Sequence, residues 1–208
     1  GPADAPIPDV PFDVEAGTVY VVPYNDLTRL GQILSEHGDE IAAVVMEPVI
    51  ENLAIVVPDE GYLAGVRALC DQHGVLLIFD EVKTGITAGW GGATGVVGVQ
   101  PDLVALAKSI GGGLPLGAFG GTSECMDQIT AGKVLHLGTY NGNPLCMAAA
   151  KAVLTEICTP AATDEAIARN RMLLDACDGI IAAAGLPAHT VQFGAKGCVT
   201  WAPEPIQN

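Results

Sequence analysis

The sequence predicts an α/β fold, a mostly parallel sheet with flanking helices. Three observations carry this. Short apolar runs without alternation, Ile41–Met46, Val75–Phe79 and Leu103–Ala107, suit strands buried on both faces of a parallel sheet. A one-face helical spacing lies between the first two, so strand, helix and strand form a βαβ unit. At 208 residues and 50% hydrophobic, the chain is long and apolar enough to bury a sizeable core.

Taken in order, residues 1–18 are rich in Pro, Asp and Ala and suggest an irregular lead-in. Val19–Val22 has the look of a short strand closed by Pro23. Asp26 is placed to cap a helix whose apolar side holds Leu27, Leu30, Ile33, Leu34 and His37, with Gly38 ending it. After the 41–46 strand, Asp59 starts a second helix, with Leu63, Val66, Leu69 and Cys70 on one face and Gly74 as the stop. The 75–79 strand leads into a Gly-rich loop, 85–98, and then the 103–107 strand. Gly117–Gly121 is a weaker strand candidate. Asn143-Pro144 opens a helix to about Ile157, with Pro at its tolerated first position. Thr159-Pro160 reads as a hinge, followed by a long helix over about 164–184 that ends at Gly185, then short strands at 189–193 and 197–202.

Charge excludes several functions. Nine Lys+Arg face twenty-four Asp+Glu, a net charge of −15, and the cations are scattered. Nucleic-acid binders cluster Lys and Arg against phosphates, so no nucleic-acid partner is expected. No apolar stretch is long enough for a transmembrane helix, and the N-terminus has neither the basic nor the apolar region of a signal peptide. Six cysteines stand without C-x-x-C pairs. That pattern fits buried thiols in a reducing cytoplasm better than a zinc site or a disulfide framework.

Three constellations carry chemistry. Asp80 and Glu81 stand where a strand meets its C-terminal loop, the place where open α/β sheets bind ligands. An alternative is a strand-end Asp that merely caps a turn. Lys108 follows an apolar strand and precedes Gly111–Gly113. Desolvation there would favour a neutral amine able to form a Schiff base, while a snorkelling surface Lys is the plainer reading. Gly138-Thr139-Tyr140-Asn141-Gly142-Asn143-Pro144 offers backbone N–H groups and a hydroxyl before a helix, which suits a phosphate or an ordinary N-cap. An acid, a lysine and a phosphate-type turn together suit pyridoxal 5′-phosphate, with its ring nitrogen, aldehyde and phosphate.

The stretches MEPVIENLAIVVPDEGYL, FDEVKTG, GVQPDLVALAKSIGGGLPLGAFGG and GTYNGNPLCMAAA, within about residues 41–150, resemble the class III (fold-type I) pyridoxal-phosphate aminotransferases. The resemblance is nearest to the glutamate-1-semialdehyde aminomutase-like members. It implies a three-layer large domain over 1–158 and the start of a small α+β C-terminal domain over 159–208. It implies that Lys108 holds the cofactor and shuttles a proton, and that Asp80 pairs with the pyridinium nitrogen. Val82 would pack on a ring face and Asn52 would lie near the 3′-oxygen. Gly138 and Thr139 would bind the phosphate of the neighbouring subunit's cofactor in a homodimer. Glu47 would line the site, and Glu81 would stand behind the ring-facing groups. Lys83 is a poor rival to Lys108, because it follows a different strand end.

The implied function is amino transfer between an amino compound and a carbonyl compound. Intramolecular transfer, as in an aminomutase, is the first alternative, and a racemase on the same scaffold is a weaker one. Two departures stand out. Ile86-Thr87 replaces the Phe-Arg of many relatives, and no Ser/Gly-rich phosphate turn precedes Glu47. The second departure leads to the expectation that this is the middle of a longer enzyme, lacking part of its own pocket; a further alternative is a catalytically incomplete fragment acting only as a dimerisation or binding module. Arg29, Arg67, Arg169 and Arg171 fall in apparent helices and are expected to be surface charges.

Overall fold

The computed structural model describes residues 19–52, 54–202 and 204. The expected lead-in at 1–18 lies outside them. Four strands form one sheet in the order β1 (Ala43–Met46), β2 (Leu76–Asp80), β3 (Leu103–Leu106) and β4 (Ala118–Gly121). The first three are parallel and β4 is antiparallel to β3. Met46 lies beside Phe79, and Asp80 beside Ala105, which in turn faces Phe119. The carboxyl ends of β1, β2 and β3 therefore come out along one edge.

Two helices cover one face of this sheet. In α1 (Leu27–His37), Asp26 Oδ1 accepts from the Arg29 N–H at 2.8 Å, which satisfies an otherwise unpaired helix-start donor. In α2 (Tyr62–His73), Gly74 ends the helix at φ +68°, a left-handed turn that glycine adopts without a Cβ penalty. Leu30, Leu34, Leu63, Val66 and Cys70 pack there against Leu77 and Phe79. Burial drives the Cys70 thiol up to about 11, so it packs as a neutral apolar group. Burying a side chain such as Phe79 stabilises the fold by roughly 2–3 kcal/mol.

The expectation of strands buried on both faces holds for only one side here. Leu77 and Phe79 are fully covered, but Val45 is 67% exposed and Leu76 38%. Strand side chains alternate, and among the described residues the helices layer the Leu77 side at β1 and β2. Val19–Val22 is not a strand. It lies over the helices instead: the Tyr20 ring stacks on His37 at 4.8 Å, and Val22 and Tyr24 pack on the core.

The 85–98 segment is not plain loop. It holds two short helices, α3 (Thr84–Thr87) and α4 (Gly92–Val97), tied by a buried carboxylate described below. Helix α5 (Ser123–Thr130), capped by Thr122, was not anticipated; its apolar side is short, Cys125, Met126 and Ile129, each only half-buried. Helix α6 (Pro144–Ala152) begins at Asn143, whose Oδ1 accepts from the Leu145 and Cys146 N–H groups. It runs on through a π-helical turn, Val153–Ile157.

The chain then bends by 79° into α7 (Pro160–Ala184), which starts a turn earlier than its periodicity suggested because Thr159 caps it. A hairpin of β5 (His189–Phe193) and β6 (Lys196–Thr200) packs along α7. Thr190 Oγ1 donates to Asp178 Oδ2 at 2.8 Å, and Gly197 passes so close to Leu174 that a Cβ would lie 2.5 Å from its Cδ1. No single helix among the described residues is long and apolar enough to cross a membrane.

Candidate active site

The carboxyl edge of the parallel strands carries most of the residues singled out from sequence. Glu47 follows β1, Asp80 ends β2 with Glu81 and Val82 after it, and Lys108 stands two residues beyond β3. These strands are neighbours, spaced about 4.8 Å apart. Asp80 Oδ1 accepts from the Val82 N–H at 3.0 Å, which fixes the turn out of the strand.

Glu47 organises the next loop. Its Oε1 accepts from Asn52 Nδ2 at 2.8 Å and its Oε2 from the Glu51 N–H at 3.0 Å. The antiparallel bridge between Ile50 and Val56 closes the loop from behind. Before it, Tyr24 donates its hydroxyl to the Pro48 carbonyl at 2.7 Å. Burial, then the neighbouring Tyr62, Glu47 and Asp59, push the Tyr24 phenol above its usual range, so it remains a neutral donor.

Glu81 faces away from this edge. It is 3% exposed, and its carboxylate gathers the start of α4. Oε2 accepts from the Ala93 N–H at 2.6 Å and Thr84 Oγ1 at 3.1 Å; Oε1 accepts from the Thr94 N–H at 2.9 Å and Thr94 Oγ1 at 2.5 Å. An anion at a helix start with backbone donors is favourable. Glu81 thus pins the 84–97 segment under the Asp80 turn.

Lys108 is exposed among the described residues, as the plainer of the two sequence readings has it. It makes no hydrogen bond or ion pair among them, and lines an open hollow with Ser109, Gly113, Leu114 and Pro115. Its backbone is left-handed, φ +54°, and starts a 3-10 turn through Gly111. Lys83, by contrast, is engaged: its Nζ donates to the Glu51 carbonyl at 2.7 Å.

Gly138 and Thr139 lie on an exposed turn before α6. Among the described residues no hydrogen bond joins them to Asp80 or Lys108. The turn is held by the Asn141 N–H on the Gly138 carbonyl at 3.0 Å and by the His136 ring set edge-on against Phe119.

Sequence reasoning missed two tight couples. Glu51, with its side chain 1% exposed, pairs through Oε2 with Lys196 Nζ at 2.8 Å. No local pattern signals this, since the partners are 145 positions apart. Arg67 is not a surface charge: it bridges Asp102 and Asp71, each at 2.7 Å, with its side chain only 19% exposed. Burial pushes the Asp102 carboxyl up, but the Leu77 N–H and the Arg67 guanidinium outweigh it and hold the group below the usual carboxylate range. This couple locks α2 to the start of β3.

Comparison with known proteins adds a further set of facts. The family model "Aminotransferase class-III" matches residues 5–184. A glutamate-1-semialdehyde 2,1-aminomutase of Syntrophobacter fumaroxidans is 42% identical over 200 residues, covering 96% of this chain and 46% of that protein. One from an Anaeromyxobacter species is 43% identical with the same coverage. The chain therefore spans about half the length of the curated relatives it matches. Among solved structures, an omega-transaminase from Sphaerobacter thermophilus superposes with a TM-score of 0.85 at 33% identity, covering 90% of this chain and 43% of that one. A glutamate-1-semialdehyde aminomutase from Pseudomonas aeruginosa in complex with PMP gives 0.82 at 32%, with the same coverage.

Proposed function

The chain belongs to the class-III aminotransferase family, and from that premise we propose that it is the cofactor-holding part of an enzyme that moves amino groups with pyridoxal 5′-phosphate. The observation that carries the reading is the shared strand edge. A carboxylate, Asp80, ends β2, and a lysine without a partner among the described residues, Lys108, follows the adjacent β3. The donor set fits this cofactor: an amine for its aldehyde, a carboxylate for its ring nitrogen, and the Gly138-Thr139 turn for a phosphate.

When bound, pyridoxal phosphate supplies a carbonyl carbon that takes up amino groups and a ring that accepts electron density. The residues of this chain do the rest. Lys108 Nζ would hold the cofactor's aldehyde group and would move a proton at the substrate's amine-bearing carbon. Asp80 would keep a proton on the ring nitrogen. Val82 would pack against the ring, and Asn52, oriented by Glu47, would address the 3′-oxygen. Glu81 holds the supporting segment rather than the cofactor.

Gly138 and Thr139 serve the cofactor of a second subunit. The exposed apolar run of Leu135, Leu137, Tyr140 and Leu145 around them supports this, as a surface suited to a homodimer. The 79° bend between the α6 segment and α7 supports a small C-terminal unit that starts at 159. Six free cysteines support a cytoplasmic setting.

Intramolecular amino transfer is the second reading, favoured by relatives at 42–43% identity being named aminomutases. Both are tested together. Pyridoxal phosphate added to the purified protein should give a red-shifted absorbance band that Lys108→Ala abolishes; an unchanged band in the variant removes Lys108 from its role. With an amino donor, a keto product marks transfer to a second compound, and an isomer of the donor marks internal transfer. Binding without any turnover would leave the chain as a binding and dimerisation module.

A further inference from the structure

The residue beside Asn52 is held with unusual completeness. Glu51 has three polar groups engaged, each by a different part of the chain. Its N–H donates to Glu47 Oε2, at the end of β1, at 3.0 Å. Its carbonyl accepts from Lys83 Nζ, in the turn after β2, at 2.7 Å. Its carboxylate Oε2 accepts from Lys196 Nζ, in the C-terminal hairpin, at 2.8 Å. Two of these three partners, Glu47 and Lys83, belong to loops that carry the proposed cofactor-facing residues.

The side chain is 1% exposed, and its Oε1 is buried without a hydrogen-bond partner among the described residues. A buried carboxylate is strongly unfavourable unless a cation meets it. Lys196 is the cation that meets it, so the Glu51 carboxylate stays paired while the hairpin keeps its place. The hairpin is docked independently at its tip. The Ala195 N–H donates to the Thr87 carbonyl at 2.7 Å, at the end of α3. Gly194, at φ +58°, lies so close that a Cβ would stand 2.3 Å from the Thr87 and Ala88 carbonyls. The hairpin therefore reaches both loops, at Glu51 and at Thr87.

We propose that Lys196 is a positioning residue: through the buried Glu51 carboxylate it fixes the 47–56 loop, and so sets Asn52 for the cofactor ring. The role toward the ring rests on the cofactor reading above; the fixing of the loop does not. Asn52 itself is exposed and, among the described residues, its side chain is held by Glu47, whose other oxygen holds Glu51. A loosened Glu51 thus frees the anchor of Asn52. Lys196 touches no reacting atom; it acts through Glu51 and Glu47.

The test compares wild type, Lys196→Met and Lys196→Arg by amide hydrogen exchange in the cofactor-free protein. Exchange reports local opening segment by segment. In Lys196→Met, amides of the 47–57 segment should exchange about tenfold faster, the consequence of losing one charge-assisted bond. Amides over 62–80 should be unchanged, and Lys196→Arg should restore protection. Unchanged exchange at 47–57, or a rise shared equally by 62–80, overturns the clasp. Glu51→Gln/Lys196→Met, which leaves no buried unpaired charge, provides a second route if the single variant folds poorly: the same local loosening supports the clasp and its absence overturns it. In parallel, titration with pyridoxal phosphate should show about tenfold weaker binding in Lys196→Met. Loosened exchange with unchanged binding overturns the role toward the ring. A wild type that takes up no cofactor overturns the function proposed above, while exchange still judges the clasp.

Discussion

Replacing Glu81 by Gln should destabilise the protein well beyond what one lost charge at a surface would do. The carboxylate faces four donors: the Ala93 and Thr94 N–H groups and the Thr84 and Thr94 hydroxyls. A glutamine side chain has one oxygen and one NH2. The hydroxyls can rotate to accept from the NH2, but the backbone N–H groups cannot. Whichever way the amide turns, Ala93 or Thr94 is left with its N–H pointing at another donor.

An unsatisfied buried donor costs about 1–3 kcal/mol, and the surviving N–H bond loses its charge assistance, roughly 1 kcal/mol more. The sum is about 3 kcal/mol, or ~6–12 °C in melting temperature for a chain of this size. Urea unfolding followed by circular dichroism would measure it. Glu81→Ala, which strands both N–H groups, should be worse still. Glu124→Gln, on the exposed side of α5, should stay within about 0.5 kcal/mol of wild type. A Glu81→Gln protein as stable as the Glu124→Gln control would refute the argument that the carboxylate pins α4.

Two further outcomes are expected. The Asp102 carboxyl is held below its unfolded-state value of about 3.9, so the stability it contributes is present above that pH and is lost as pH falls through its lower folded value. Urea midpoints taken from pH 6 to pH 3 should therefore fall more steeply for wild type than for Asp102→Asn, and parallel curves would contradict the assignment. Gly194→Ala places a Cβ 2.3 Å from two backbone oxygens at a left-handed position, so the hairpin tip should lift from Thr87 at a cost of about 2 kcal/mol or more. Faster exchange of the Ala195 amide would register that lifting, and full protection there would deny it.

The elements with strong local patterns were legible from sequence. Leu30, Ile33 and Leu34 marked α1, and the unbroken run at 75–79 marked β2, because burial imposes periodicity on the residues that are buried. In α5 the pattern is faint, because its apolar side is only Cys125, Met126 and Ile129, half-buried in a helix of 8 residues. Val19–Val22 misled because β-branched residues also serve a segment that drapes over helices. At the site, Asp80, Glu81 and Lys108 were visible as polar residues at the ends of apolar strands. Their roles divided only in three dimensions: Glu81 turned inward to four donors, while Lys108 stayed exposed. The Glu51–Lys196 couple was invisible, because an ion pair between distant segments leaves no mark on either neighbourhood.

The left-handed backbone at Lys108 has a bearing on why a lysine stands there. A residue with a Cβ in that conformation is about 1 kcal/mol less favourable than glycine would be. The same short turn already contains Gly111, Gly112 and Gly113, so glycine is at home in it. Foldability alone would choose a fourth glycine. The strained lysine is a concession made by the fold, and concessions of this kind collect where a side chain is needed for something other than folding. Conformational energy thus points to the same residue that the chemistry of the strand edge does, and by a separate line of reasoning.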